Sequence, residues 1–98
     1  MRINKRTDGD KLTIHIEGRL DTTTSPKLSK ELETSLEGIT QLVLDLTLLE
    51  YISSSGLRVL LSAQKTMNTV GEMIVRGVPE DIMEIFEVTG FSDFLTIE

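Results

Sequence analysis

The organisation of the chain turns on Asp45-Leu46-Thr47-Leu48-Leu49-Glu50-Tyr51-Ile52-Ser53-Ser54-Ser55-Gly56-Leu57. This segment reads as the end of a buried strand, a short connection, and a run of three serines opening a helix. Leu42-Val43-Leu44-Asp45-Leu46 provides the apolar strand before it, and Leu57-Arg58-Val59-Leu60-Leu61-Ser62-Ala63 has helical composition after it. Serine is a preferred helix N-cap because its hydroxyl accepts a hydrogen bond from an otherwise unpaired backbone N–H. A helix N-terminus also favours negative charge, a phosphate included. Hydroxyls at this point are therefore either caps or a place where a phosphate can sit.

On the N-terminal side, Arg2–Thr7 and Lys11–Gly18 read as two strands joined by Asp8-Gly9-Asp10, since Asp-Gly between strand-like runs signals a hairpin. Leu12, Ile14 and Ile16 share one face of the second strand, and Thr13, His15 and Glu17 share the other, the alternation of a half-buried strand. Thr22-Thr23-Thr24-Ser25-Pro26 reads as a helix start, with hydroxyl caps and a proline near the first helical position. Leu28, Leu32 and Leu36 then recur every four residues, and Gly38 marks the end of that helix.

Gln41–Leu46 is nearly all apolar and is expected to be a central strand. A second helix is expected from Ser54 or Ser55 to about Val70, offering Leu57, Leu60, Leu61, Ala63, Met67 and Val70 to the core. Gly71 stops it, and Glu72–Arg76 is a further strand. Pro79–Val88 reads as a third helix burying Ile82, Ile85 and Phe86, with Gly90 as its C′ residue, and Phe94–Glu98 as a short terminal strand. The order β-β-α-β-α-β-α-β indicates an α/β domain: an initial hairpin, then a mostly parallel sheet with helices stacked mainly on one face.

Gross composition bounds the possibilities. Ninety-eight residues are expected to make one domain, long enough to bury roughly 60–70% of the surface its unfolded chain exposes. A hydrophobic content of 39% argues for a folded core rather than disorder. The absence of cysteine excludes disulfides and thiolate metal ligands. No apolar run suits a signal peptide or a membrane span, so a cytoplasmic protein without membrane insertion is expected. A net charge of −6 counts against direct nucleic-acid binding, which needs clustered Lys and Arg.

Three elements together resemble the STAS domains, specifically the small bacterial anti-sigma factor antagonists. The first is Leu44-Asp45-Leu46, Tyr51-Ile52 and Ser53-Ser54-Ser55-Gly56-Leu57, similar to an apolar strand ending in Asp followed by Asp-Ser-Ser/Thr-Gly-Leu. The second is Gly18-Arg19-Leu20-Asp21, similar to Gly-x-Leu-Asp, and the third is Gly71-Glu72-Met73-Ile74-Val75. The resemblance spans residues 1–98 in order, with one departure: Ser53 stands where the family usually has Asp.

The resemblance implies a phosphorylation-controlled switch. In its unphosphorylated form the chain would bind an anti-sigma factor that is also a serine kinase, releasing the sigma factor. Phosphorylation would inactivate it, and a PP2C-type phosphatase would restore it. Aligning Gly56-Leu57 with the family's Gly-Leu places the phosphoacceptor at Ser54, with Ser53 as runner-up, and assigns Asp21, Ser53, Ser55 and Gly56 to partner binding. The alternative that the family allows is a constitutive adaptor subunit of a lipid-transport ABC system or signalling assembly.

Residue by residue, plainer roles stand beside these. The serine run taken alone is a cap and turn. Asp21 follows a strand at a sharp turn, where an Asx turn or cap is as natural as a partner contact. Asp45 suits hydrogen bonding in the loop after its strand, and His15, the only histidine, falls on a polar strand face. One histidine supports neither a metal site nor a catalytic dyad. The chain has no Gly-x-Ser-x-Gly elbow, no phosphate-binding Gly-x-x-x-x-Gly-Lys-Ser/Thr loop and no Gly-x-Gly-x-x-Gly. No enzymatic activity, cofactor or metal is expected.

Overall fold

The computed structural model describes residues 1–98. Strand β1 (Arg2–Asp8) turns through Gly9, at φ +62°, into β2 (Lys11–Leu20), and the two pair antiparallel from Arg2 opposite Glu17 to Asp8 opposite Lys11. After β2 come helix α1 (Ser25–Ser35), β3 (Gln41–Asp45) and β4 (Leu49–Ile52). Helix α2 (Ser54–Val70), β5 (Glu72–Arg76) and α3 (Glu80–Thr89) complete the main elements. A single 3-10 turn, Phe91–Asp93, precedes the C-terminus.

The five strands form one mixed sheet. β3 runs parallel to β2, with Leu12 beside Leu42 and Ile14 beside Leu44. β5 runs parallel to β3, with Met73 beside Leu42 and Val75 beside Leu44. Alternation along a strand places these residues on one face, in a single buried cluster with Leu28, Leu32, Leu57, Leu60, Met67, Ile82 and Phe86 of the helices. The three helices therefore cover that face. The other face carries the row His15, Asp45, Arg76 and the row Thr13, Val43, Ile74. The hairpin, the parallel crossovers and the one-sided helical layer agree with the sequence expectation.

Three local expectations need correction. The connection after Asp45 contains a strand, β4, which pairs parallel with Gly18–Leu20 beyond the stretch of β2 that β3 covers. Its burial runs buried, exposed, exposed, buried, so it lacks the strict alternation that marks a strand in sequence. Val70, offered to the core, is 54% exposed at the last position of α2, next to the Gly71 C-cap. Gln64 takes an inward position instead and is buried. Its Nε2 donates to Asn68 Oδ1 at 2.9 Å, and its Oε1 accepts from the Thr96 N–H at 3.3 Å. The expected terminal strand over Phe94–Glu98 reduces to a single parallel bridge between Ile97 and Val75. Phe94 faces outward, and Leu95 alone of that pair is buried.

Candidate functional site

The site forms where β2 ends and α2 begins. Helix α2 is capped by Ser53, whose extended backbone (φ −96°, ψ 175°) turns its Oγ to accept from the Gly56 N–H at 3.4 Å. The Ser53 carbonyl accepts the first full helical bond, from Leu57 N–H at 3.0 Å. The capping role considered for the serine run thus falls on Ser53. Ser54 is the first helical residue and is exposed, with its hydroxyl unused by the fold, and Ser55 is half-buried.

Two contacts fix this helix start against β2. The Ser53 N–H donates to the Leu20 carbonyl at 2.9 Å. Gly56, fully inside, lies so close to β2 and β4 that a Cβ there would sit 2.8 Å from Leu20 Cγ, 2.8 Å from Ile52 Cγ1 and 3.0 Å from the Leu20 carbonyl oxygen. Glycine at 56 is a condition of that approach. It shapes the site from below rather than presenting a surface.

Asp21, next to Leu20, organises the β2–α1 turn. Its Oδ1 accepts from Thr23 N–H (3.0 Å), Thr23 Oγ1 (2.8 Å), Thr24 N–H (3.1 Å) and Thr24 Oγ1 (3.2 Å). The Thr23 hydroxyl first, and the Thr24 and Thr23 N–H groups after it, outweigh desolvation and hold the Asp21 carboxyl below the usual carboxylate range. The Asx-turn role is therefore realised at Oδ1. The other oxygen, Oδ2, lies 3.9 Å from Arg19 Nε, and the Arg19 guanidinium sits 4.2 Å from the centroid of the Tyr51 ring. Arg19 and Tyr51 carry no site role in the sequence reading; the Arg-Leu-Asp and Tyr-Ile segments become neighbours only through the β2–β4 register of Arg19 beside Tyr51.

Asp45 and His15 lie on the open face of the sheet, apart from the serines' helix start. Asp45 Oδ1 accepts from Thr47 N–H (3.0 Å) and Thr47 Oγ1 (2.6 Å), while its Oδ2 meets Arg76 Nε at 3.1 Å and His15 Nδ1 at 3.6 Å. Burial would raise the Asp45 carboxyl, but the Thr47 and Arg76 hydrogen bonds together with the nearby His15 hold it below the usual range. The Thr47 bonds are the loop hydrogen bonding expected of Asp45, and its other oxygen links the ends of β3 and β5 to His15 within β2. The structure brings Ser53, Ser54, Ser55, Gly56 and Asp21 together and leaves Asp45 and His15 outside that group.

One antiparallel hairpin, three parallel strand pairings and a serine-capped helix held against the second strand define a small α/β domain with its helices on one face. The STAS domain family model matches residues 2–98, and the chain belongs to that family. It is 35% identical over 97 residues to the anti-sigma-B factor antagonist of Listeria monocytogenes, covering 96% of this chain and 84% of that one. Among solved structures, an anti-sigma factor antagonist from Mycobacterium paratuberculosis superposes with a TM-score of 0.88 at 18% identity, covering 98% of this chain and 83% of that one. The Bacillus cell fate determinant SpoIIAA in its phosphorylated form superposes with a TM-score of 0.78 at 16% identity, covering 99% of this chain and 91% of that one. At such identities these structures speak for the fold. No helix is long and apolar enough to cross a membrane.

Proposed function

We propose that this chain is an anti-sigma factor antagonist, a regulatory binding protein and not an enzyme, switched by phosphorylation of Ser54. One observation carries the choice of residue: Ser53 caps α2, so the exposed Ser54 hydroxyl next to it is not needed by the fold. Phosphorylating Ser53 would modify the oxygen that caps α2, whereas phosphorylating Ser54 changes only the surface. The relative named as an anti-sigma-B factor antagonist supports an anti-sigma factor as the partner, and the phosphorylated SpoIIAA structure supports control by phosphate. The partner is proposed to be a serine kinase as well, with a PP2C-type phosphatase reversing its action in the cytoplasm.

A phosphate adds about −1.5 to −2 charges. A partner that buried Ser54 would have to desolvate that charge, a cost of several kcal/mol or more without a paired cation. Binding is then lost while the fold persists. Docking is proposed to use the surface made by Asp21, Ser53, Ser54 and Ser55, with Gly56 holding the helix start in place beneath it.

The test combines phosphosite mapping of the protein purified from its host with a pull-down using Ser54→Ala and Ser54→Asp as baits. Phosphate on Ser54, and an ATPase-type kinase retained by Ser54→Ala but lost by Ser54→Asp, are the expected results. Equal retention of one partner set by both baits, transporter subunits in particular, would replace the switch with a constitutive adaptor.

A further inference from the structure

Helix α2 is the element on which the proposed phosphate would sit, and its charges are one-sided. Between Ser54 and Val70 it carries Arg58 and Lys65 and no acidic residue. Arg58 is exposed and takes part in none of the chain's ion pairs, which join Lys5 to Glu31, His15 and Arg76 to Asp45, and Arg19 to Asp21. Its spacing from Ser54 is four residues. Residues four apart share a helix face. Helical side chains lean back over the turn N-terminal to their own Cα, so Arg58 covers the turn that begins at Ser54. An anion N-terminal to a cation at this spacing is also the favourable order.

We propose that Arg58 is the counter-ion of phosphorylated Ser54, binding the phosphate across one turn of α2. This rests on Ser54 being the acceptor and adds the residue that receives its charge. Guanidinium and phosphate match as paired donors and acceptors, so the contact holds the phosphate in a definite place instead of leaving it to solvent. Ser53 introduces no carboxylate to compete for Arg58. The Asp21 carboxylate of the neighbouring turn is already engaged by Thr23, Thr24 and Arg19. Phosphorylation then changes the docking surface twice, by adding an anion at 54 and by withdrawing the free cation at 58.

The test uses the full chain with phosphoserine inserted at position 54 during translation, so that it does not depend on any kinase. The phosphorus NMR signal is titrated through the second ionisation, whose ordinary midpoint is about 6. Pairing favours the dianion. The midpoint is expected to rise by about 0.2–0.4 pH unit in Arg58→Gln, to stay near the parent value in Arg58→Lys, and to be unmoved in Lys65→Gln. The Arg58→Gln difference should also shrink in 0.5 M salt, roughly as screening of an exposed pair requires. An unchanged midpoint in Arg58→Gln, or an equal change in Lys65→Gln, would overturn the pairing. Mapping phosphate to another residue in the host would instead overturn Ser54 as acceptor, a separate result.

Discussion

The backbone N–H of Ser53 donates to the carbonyl of Leu20 at 2.9 Å, joining the first residue of the serine run to the last residue of β2. This bond sets the Asp21 turn beside the start of α2. Thirty-two positions apart in sequence, the Gly-Arg-Leu-Asp and Ser-Ser-Ser-Gly segments become one surface through it. The tolerance of that surface to substitution follows from which side chains the fold uses and which it leaves free.

Ser53→Ala should be less stable than Ser54→Ala. Losing the cap costs about 0.5–1 kcal/mol, toward the lower end of the usual range because the Oγ to Gly56 N–H distance is 3.4 Å. Ser54→Ala removes no hydrogen bond and should fall within about 0.5 kcal/mol of the parent. Ser53→Asp keeps a good cap and should fall near the parent too. Urea midpoints of the three variants check the order, and a reversed order would move the cap to Ser54.

Gly56→Ala should destabilise the chain despite the helix setting. Alanine is favoured over glycine in a helix interior by about 1 kcal/mol. Against this, the new methyl would meet Leu20 and Ile52 at 2.8 Å and the Leu20 carbonyl oxygen at 3.0 Å. Overpacking of this kind costs about 1–3 kcal/mol, and part of the contact is backbone that cannot rotate away. A lower thermal midpoint, with weaker partner binding as the helix start is pushed from β2, is expected. An increase in stability would show that α2 is free to move off β2.

Asp45→Asn should cost about 1–3 kcal/mol at pH 7, because hydrogen bonds from Thr47 and Arg76 to a charged carboxylate are replaced by weaker ones. The sign with pH follows from the direction of the shift. The folded-state pKa of Asp45 is depressed, so its contribution is present above the unfolded value of about 3.9 and is lost as pH falls through the folded value. The stability gap between parent and variant should therefore narrow below about pH 4, measured by urea unfolding at pH 7 and pH 3. A constant gap would mean that the carboxylate's charge contributes nothing.

Gln64→Leu should release the C-terminal segment. The substitution keeps an apolar volume in the core but leaves the Thr96 N–H without the Gln64 Oε1 that accepts it at 3.3 Å. A cost of about 1–2 kcal/mol is expected from an unpaired, partly buried donor. Amide exchange should speed up at Thr96 and at Glu98, whose N–H donates to Val75 at 2.9 Å. Unchanged exchange at both positions would assign the tether to Leu95 packing and the backbone bridge to Val75 without Gln64.

Much of this was legible in the chain. Alternation in Leu12-Thr13-Ile14-His15-Ile16 gave the half-buried strand, and the four-residue recurrence of Leu28 and Leu32 gave the buried stripe of α1. Elements whose partners lie far away in sequence were not legible. β4 has four residues and no alternation, so only its pairing with Gly18–Leu20 makes it a strand. Gln64 carries no apolar signal for the core place that it takes beside Thr96, and Val70, which reads as core, ends exposed at the last position of α2.

By itself the sequence determined the order of the three helices and of β1, β2, β3 and β5, the helical layer on one side of a mostly parallel sheet, and the grouping of hydroxyls at a helix start. Periodicity, turn residues and capping preferences are local, and they act before the chain has folded. Only the tertiary structure decided which serine is the cap and which is free, and that Asp21 and Arg19 stand beside them. Those outcomes depend on the Ser53–Leu20 bond, the close approach at Gly56 and the register of β4 on β2. Each is a contact between distant segments, and no local preference specifies it.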